Sequence, residues 1–297
     1  MTAQPIIAFD LPRPDGAHVT AYRSAPAAAP VAIVQIAHGM AEHFGRYGRV
    51  AAALTGAGYA VYASDHRGHG ASAAAHGLGD FGPGGFQTLV DDMAALSDLA
   101  RSELPGAPLI LLGHSMGSFA AQLYLLDHHA GLAGLVLSGT AAVDAMVAAA
   151  AASGAAPSPN AMNAPFAPAR TDFDWLSRDE AEVDAYIADP LCGFPLTNAA
   201  MASVFSDAAG ARHDPRLAAV RGDLPIYVIS GQFDPVTGPG QAYATALLDT
   251  YLSAGLGPID HRVYPRGRHE MFNEIDREKV VADLIEWLAT LTGGARA

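Results

Sequence analysis

The sequence predicts an α/β fold: a mostly parallel, doubly wound sheet interrupted by an inserted helical segment. Short apolar runs such as Val31 to Ala37 and Leu132 to Leu137 lack polar alternation, the mark of strands buried on both faces of a parallel sheet. Segments of helical period separate these runs, and the alternation stops near residue 141 and resumes near 214. A serine between glycines, Gly113-His114-Ser115-Met116-Gly117, follows one apolar run and precedes one helix-like segment.

In chain order, residues 5–9 and 18–23 read as two strands joined by a Pro14-Asp15-Gly16 turn. Val31 to Ala37 runs into His38-Gly39-Met40-Ala41-Glu42-His43, and Arg49 to Ala57 reads as a helix stopped by Gly58. Tyr59 to Ala63 is a second buried strand, leading to Asp65-His66-Arg67-Gly68-His69-Gly70-Ala71-Ser72. Phe86 to Ser102 places Leu89, Met93, Leu96 and Leu99 on one helical face. Pro108 to Leu112 is the strand before the glycine-flanked serine, Ser118 to Asp127 the helix after it, and Leu132 to Leu137 the next strand. From 141 to 213 the chain is rich in Ala, Pro and Met and has no strand-like run, so this stretch is expected to be a helical cap inserted into a core of residues 1–140 and 214–297. Pro225 to Ser230, Gly240 to Ala254, Asp260 to Tyr264 and Arg277 to Leu291 complete the core as strand, helix, strand and helix.

The composition limits the partners. With 51% hydrophobic and 16% charged residues, the chain has ample core and is not of a disordered kind. A formal charge of −13 opposes nucleic acid or an anionic membrane as the main partner, and Lys279 is the single lysine. Cys192 is the lone cysteine, which fits a reducing compartment. Met1 to Asp10 lacks a basic region followed by an apolar one, and the Ala141 to Ala156 stretch is weakly hydrophobic and broken by Asp144, Gly154 and Pro157. A cytoplasmic protein without a membrane span is expected.

Gly-x-Ser-x-Gly between a strand and a helix is the pattern of a nucleophile elbow. Glycines on either side allow the close backbone approach of a strained turn that exposes the serine hydroxyl. A serine nucleophile needs a base and an acid to orient it, and in this sheet type they follow as Asp or Glu, then His, on later strand ends. Asp234 follows the strand ending Ser230-Gly231, and His269 follows the strand ending at Tyr264. Asp207, Asp214 and Asp223 precede the strand and would point away, and Glu270 is badly placed to orient its own neighbour. The oxyanion donors are expected to be the backbone N–H groups of Met40 and Met116, on the loop after the early strand and at the helix start. His38, His43, His66 and His69 match no usual zinc spacing and read as loop-packing groups, so neither metal nor other cofactor is expected.

His38-Gly-Met-Ala-Glu-His43, Asp65 to Ser72, Gly113 to Gly117 and Asp234-Pro-Val-Thr237 together resemble the monoacylglycerol lipase and lysophospholipase branch of the α/β-hydrolase fold. Ser177 to Tyr186 and Asp189-Pro-Leu191 resemble that branch's cap, so the likeness covers nearly the whole chain. The resemblance implies the triad Ser115, Asp234 and His269, the Met40 and Met116 oxyanion donors, a mobile cap over an acyl tunnel, and a polar head-group site at Glu42 and Arg46. Relatives usually carry a second glycine where this chain has Ala41, which bears on the flexibility of the oxyanion loop. The low bulk of Ala141 to Ala169, with Pro157, Pro159, Pro165 and Pro168, suits a lid through which lipid enters, the alternative being an ordinary Ala-rich helix and linker.

The expected activity is hydrolysis of a monoacylglycerol, lysophospholipid or similar mono-ester through an acyl-enzyme. The partners are then small esters or monoacyl lipids, with at most transient lipid-surface contact through the cap. A small-ester carboxylesterase, a thioesterase, a perhydrolase or a peptidase of the proline-iminopeptidase kind would use the same triad. Epoxide and haloalkane hydrolases place Asp at the elbow, where this chain has Ser115. A ligand-binding module on the same scaffold usually lacks a triad member, whereas all three are present here.

Overall fold

The computed structural model describes residues 5–153 and 161–293; Gly154, Pro157 and Pro159 of the Ala/Pro-rich stretch, and the first four residues, lie outside the described residues. Strands β1 (Ile7–Pro12) and β2 (His18–Ser24) form an antiparallel hairpin whose turn has Gly16 at φ +82°. Then come β3 (Ile33–Ala37), α1 (Gly48–Gly56), β4 (Ala60–Ser64), α2 (Gln87–Glu103), β5 (Leu109–His114), α3 (Met116–His128) and β6 (Gly134–Ser138). Helices α4 (Val143–Ser153), α5 (Glu180–Ala188) and α6 (Asn198–Gly210) precede β7 (Ile226–Gly231), α7 (Ala242–Ser253), β8 (Ile259–Tyr264) and α8 (Arg277–Thr292). The eight strands form one sheet in the order β1-β2-β4-β3-β5-β6-β7-β8, parallel from β4 through β8 and antiparallel at β1 and β2. This is the α/β-hydrolase arrangement, and every strand read from the sequence is present within one to three residues of its expected bounds.

Burial explains why the apolar runs become central strands. All five residues of β3, β4 and β6 and all six of β5 and β7 are buried, because helices cover both faces of the sheet. Leu89, Met93 and Leu96 of α2 join Leu123 and Leu125 of α3 in one core. Val50 and Leu54 of α1 meet Leu284 and Leu288 of α8 in the other. The polar residue in β3, Gln35, is satisfied: its amide donates to Met93 O (2.8 Å) and accepts from the Ser97 hydroxyl (2.7 Å). Edge strand β8 is instead mostly exposed or half-buried.

Between β6 and β7 no strand occurs among the described residues, as the loss of strand-like runs implies. Helix α4 buries Val143 alone and turns most of its alanines outward. Its Asp144 is held bidentately by Arg212 (2.6 Å to each oxygen). Helix α5 is capped by the Asp179 carboxylate and carries Glu180 and Glu182 in its first turn, where the helix dipole favours acids. The segment before α5 is fastened to the core by Arg178 on Glu274 and Asp276, by Arg277 on Asp179, and by the Ser177 hydroxyl donating to Asn273 O (2.9 Å). Among the described residues no helix is long and apolar enough to cross a membrane.

Candidate active site

Four loops meet at the C-terminal ends of the parallel strands, where this topology places its sites. They follow β3 (residues 38–43), β5 (Ser115), β7 (Asp234) and β8 (His269). Ser115 takes φ +52° and ψ −121°, a strained conformation for a residue with a side chain. Its neighbours explain how the turn is held. The Ser115 amide donates to Ser138 O (2.8 Å), and its carbonyl accepts from the amides of Ser118 and Phe119 and from the Ser118 hydroxyl (2.6 Å). A Cβ on Gly113 would overlap the Gly117 backbone, and one on Gly117 would overlap the carbonyl oxygens of Ala37 and His38. Ser115 is half-buried while every other residue from Leu109 to Leu126 is buried, so the turn offers this one side chain outward.

His269 is buried, and its Nδ1 lies 3.0 Å from both carboxylate oxygens of Asp234. The Asp234 side chain also accepts the Val236 amide (2.8 Å), which fixes its rotamer. Two rings flank the imidazole: His114, the residue before Ser115, at 4.7 Å, and Trp175 of the insertion at 4.9 Å, inclined by 32°. The His269 amide also donates to Trp175 O (3.3 Å). No hydrogen bond joins Ser115 Oγ to His269 among the described residues; such contacts commonly tighten only when substrate is bound. Burial by itself lowers the His269 pKa, but the charge and hydrogen bond of Asp234, with the charges of Glu270 and Glu42, outweigh it and leave the value raised. His114 next to it is pushed down to about 4 by burial and by His269, so it stays neutral.

Met116 is the first residue of α3, so its amide has no partner inside the helix. Among the described residues no acceptor takes the Met40 or the Met116 N–H. The Met40 loop is held from three sides. The Gly39 amide donates to Glu42 Oε1 (2.6 Å), and the Ala41 amide donates to His69 Nε2 (3.1 Å). The Ala41 carbonyl accepts from the Gly193 amide and the Tyr186 hydroxyl of the insertion, both at 3.0 Å. His38 and His69 thus act as loop-packing groups: His38 Nε2 accepts the His66 amide (2.9 Å), and the Nδ1 atoms of His38 and His69 donate to backbone carbonyls. Asp65 is buried beneath them and accepts from the amides of Phe44 and Ala71 and from the Tyr22 hydroxyl.

Glu42 and Arg46 lie beside this loop but face each other. Arg46 Nη1 bonds Glu42 Oε2 (2.7 Å) and Glu270 Oε1 (2.5 Å), and Nη2 bonds Glu270 Oε2 (2.6 Å). Glu42 Oε1 takes the Tyr47 hydroxyl (2.7 Å) as well as the Gly39 amide. Their polar atoms are engaged within the protein, so their placement favours a supporting role over direct head-group contact. His114 and Trp175 are not indicated by the sequence as parts of the site, and Glu270 is indicated only as a poor orienter of its neighbour. Glu270 was adjacent to His269 in sequence, whereas nothing local indicated that Trp175 reaches the imidazole.

His43, Asp189 and Cys192 bring three metal-type donors within 4.8 Å of one another. Their protonation opposes metal binding. His43 Nδ1 accepts the Gly45 amide, which leaves the proton on Nε2, and Nε2 donates it to Asp189 (2.9 Å). Burial pushes the Cys192 thiol up to about 12, so it carries its proton.

The family model described as serine aminopeptidase, S33, matches residues 28–276. A monoacylglycerol lipase of Mycolicibacterium smegmatis is 34% identical over 266 residues, covering 88% of this chain and 89% of the relative. A monoglyceride lipase of Mus musculus is 31% identical over 82% of this chain and 79% of its own length. Among solved structures, a thermostable carboxyl esterase of Bacillus coagulans in complex with glycerol superposes with a TM-score of 0.83 at 28% identity, covering 98% of this chain and all of the other.

Proposed function

Since the chain belongs to the serine aminopeptidase S33 family and has the α/β-hydrolase fold, we propose that it is a serine carboxylic-ester hydrolase for monoacylglycerols, lysophospholipids or similar mono-esters. In this reading Ser115 is the nucleophile, His269 the base and then the acid, and Asp234 the group that orients the imidazole. Ser115 Oγ attacks the ester carbonyl as His269 Nε2 takes its proton, and the Met40 and Met116 amides receive the oxyanion. His269 returns the proton to the leaving alcohol, and water then releases the acid by the same steps in reverse roles.

The observation that carries this reading is the pairing at the strand ends of a strained, outward-offered serine with an imidazole fixed against a carboxylate. Residues 141–213 act as the cap over the acyl site, with residues 1–140 and 214–297 as the core. A cytoplasmic location and brief contact of the cap with a lipid surface complete the proposal. The monoacylglycerol lipase relatives favour a glyceride head group, and the carboxyl esterase neighbour favours a smaller ester as the second reading.

Hydrolysis rates for monoacylglycerols of increasing chain length, beside an acetyl ester and a lysophospholipid, test the proposal. An optimum at medium or long chains is expected, with Ser115→Ala slower on the order of 10⁶-fold. Activity confined to the acetyl ester would transfer the assignment to the carboxylesterase reading. Near-normal turnover by Ser115→Ala would overturn both.

A further inference from the structure

Behind the imidazole lies a closed set of charges with no direct role in the chemistry above. Glu270 is 4% exposed and Glu42 2% exposed, and the Arg46 guanidinium bridges them. Two buried carboxylates and one guanidinium, its side chain 10% exposed, leave a net charge of −1 largely shielded from water. The set spans two loops: Glu270 directly follows His269, and Glu42 Oε1 holds the Gly39 amide next to Met40. Its remaining valences are filled by Tyr47 on Glu42 and by Asn273 Nδ2 on Glu270 (3.1 Å). From the insertion, the Tyr186 ring lies 4.8 Å from the Arg46 guanidinium carbon.

We propose that Glu270 is a positioning residue which, through Arg46 and Glu42, locks the histidine loop to the oxyanion loop and keeps one net negative charge behind the imidazole. This rests on the assignment of His269 as base. The geometry accounts for two effects at once. The Arg46 fork ties the donor loop to the base, so the distance between oxyanion donors and imidazole is set by part-buried, charge-assisted bonds. The surplus negative charge stabilises the imidazolium formed as Ser115 attacks, adding to the effect of Asp234.

The charged groups acting on His269 are Asp234, Glu270 and Glu42, and the titratable His114 ring lies 4.7 Å from it. Those facing Glu270 include Arg46 and His114, and Cys192 faces the same set from the insertion. Of these, His114 and Cys192 are neutral near pH 7, so Glu270 and Glu42 are the carboxylates besides Asp234 whose removal changes the field at the imidazole.

The test is Glu270→Gln, which keeps shape and removes the charge, with Glu42→Gln as a second variant that leaves the bidentate Arg46–Glu270 pair intact. The His269 ring is followed by NMR during pH titration, its signal identified by His269→Gln, alongside kcat and KM profiles on a soluble ester. In each variant the His269 titration should fall by about one pH unit, with the acid limb of kcat/KM following it. The plateau kcat should fall about tenfold at nearly constant KM. An unchanged His269 titration in cooperatively melting variants overturns the inference, as does failure of both to fold, which would make the set purely structural. The NMR readout needs no turnover. An enzyme inert toward every ester would therefore overturn the proposed function, while a shift of His269 would still be seen.

Discussion

Ser115 and Ala41 both hold left-handed backbone beside the reacting centre, with φ of +52° and +53°. For residues with a Cβ this conformation costs on the order of 1–2 kcal/mol each, so it persists only where surrounding bonds fix it. Ala41 is fixed by His69, Gly193 and Tyr186, which hold the loop after β3 at this strained residue. The glycines around Ser115 are needed for a different reason, the approach of backbone to backbone. Gly117 is the sharpest case, because the atoms a Cβ would meet there are the Ala37 and His38 carbonyls at the end of β3, backbone that cannot swing aside. Gly117→Ala should cost about 3 kcal/mol, read as a lower midpoint in urea unfolding. An unchanged midpoint would show that the elbow relaxes more freely than its packing implies. At this scale the elbow serine and the Asp234 and His269 positions were legible, since glycine spacing and strand ends are local signals. Glu42 and Arg46 were named only through the family resemblance, as a head-group site, and their bonding to Glu270 left no local signal because that contact joins residues 224 positions apart.

Among the elements, the core was legible because a strand buried on both faces writes a continuous apolar run, and each such run became one of β3 to β7. The α3 boundary moved from Ser118 to Met116 because the helix begins directly at the strained serine. The insertion was legible only as a loss of strand signal. Its path depends on long-range bonds with no local pattern: Arg268 donating to Asp174 O and Ser177 O, the Glu270 amide to Leu176 O (2.8 Å), and Arg178 on Glu274. These bonds fasten residues 174–178 to the histidine loop and set the Trp175 ring against the imidazole. Helix α4 differs: it is largely exposed, and Asp144 on Arg212 ties its start to the chain leaving the insertion. The part of the insertion nearest the site is thus the part most firmly joined to the core.

For the whole molecule, the buried histidines set the response to acid. Burial, aided by neighbouring histidines, lowers His38 well below its ordinary value, and burial takes His66 to about 3 and His69 and His114 to about 4. A depressed histidine binds its proton more readily in the unfolded chain. Its contribution is present above the unfolded value near 6.5 and is lost as pH falls from there toward the folded value. At pH 5 each group with a folded value near 4 removes roughly 2 kcal/mol. His261 is lowered by burial as well, and His269, being raised, is the one histidine here that opposes the trend. The melting temperature should therefore fall steeply between pH 6.5 and 4. A flat profile across that range would mean that the rings gain protons in the folded state without penalty.

Everything proposed for the reaction depends on the Ser115 hydroxyl, and covalent trapping with a fluorophosphonate followed by peptide mass analysis tests it most directly. The structure predicts a single adduct on the peptide containing Ser115, absent in Ser115→Ala and formed far more slowly in His269→Gln. An adduct on a different serine, or ester hydrolysis that persists after Ser115 is removed, would contradict it.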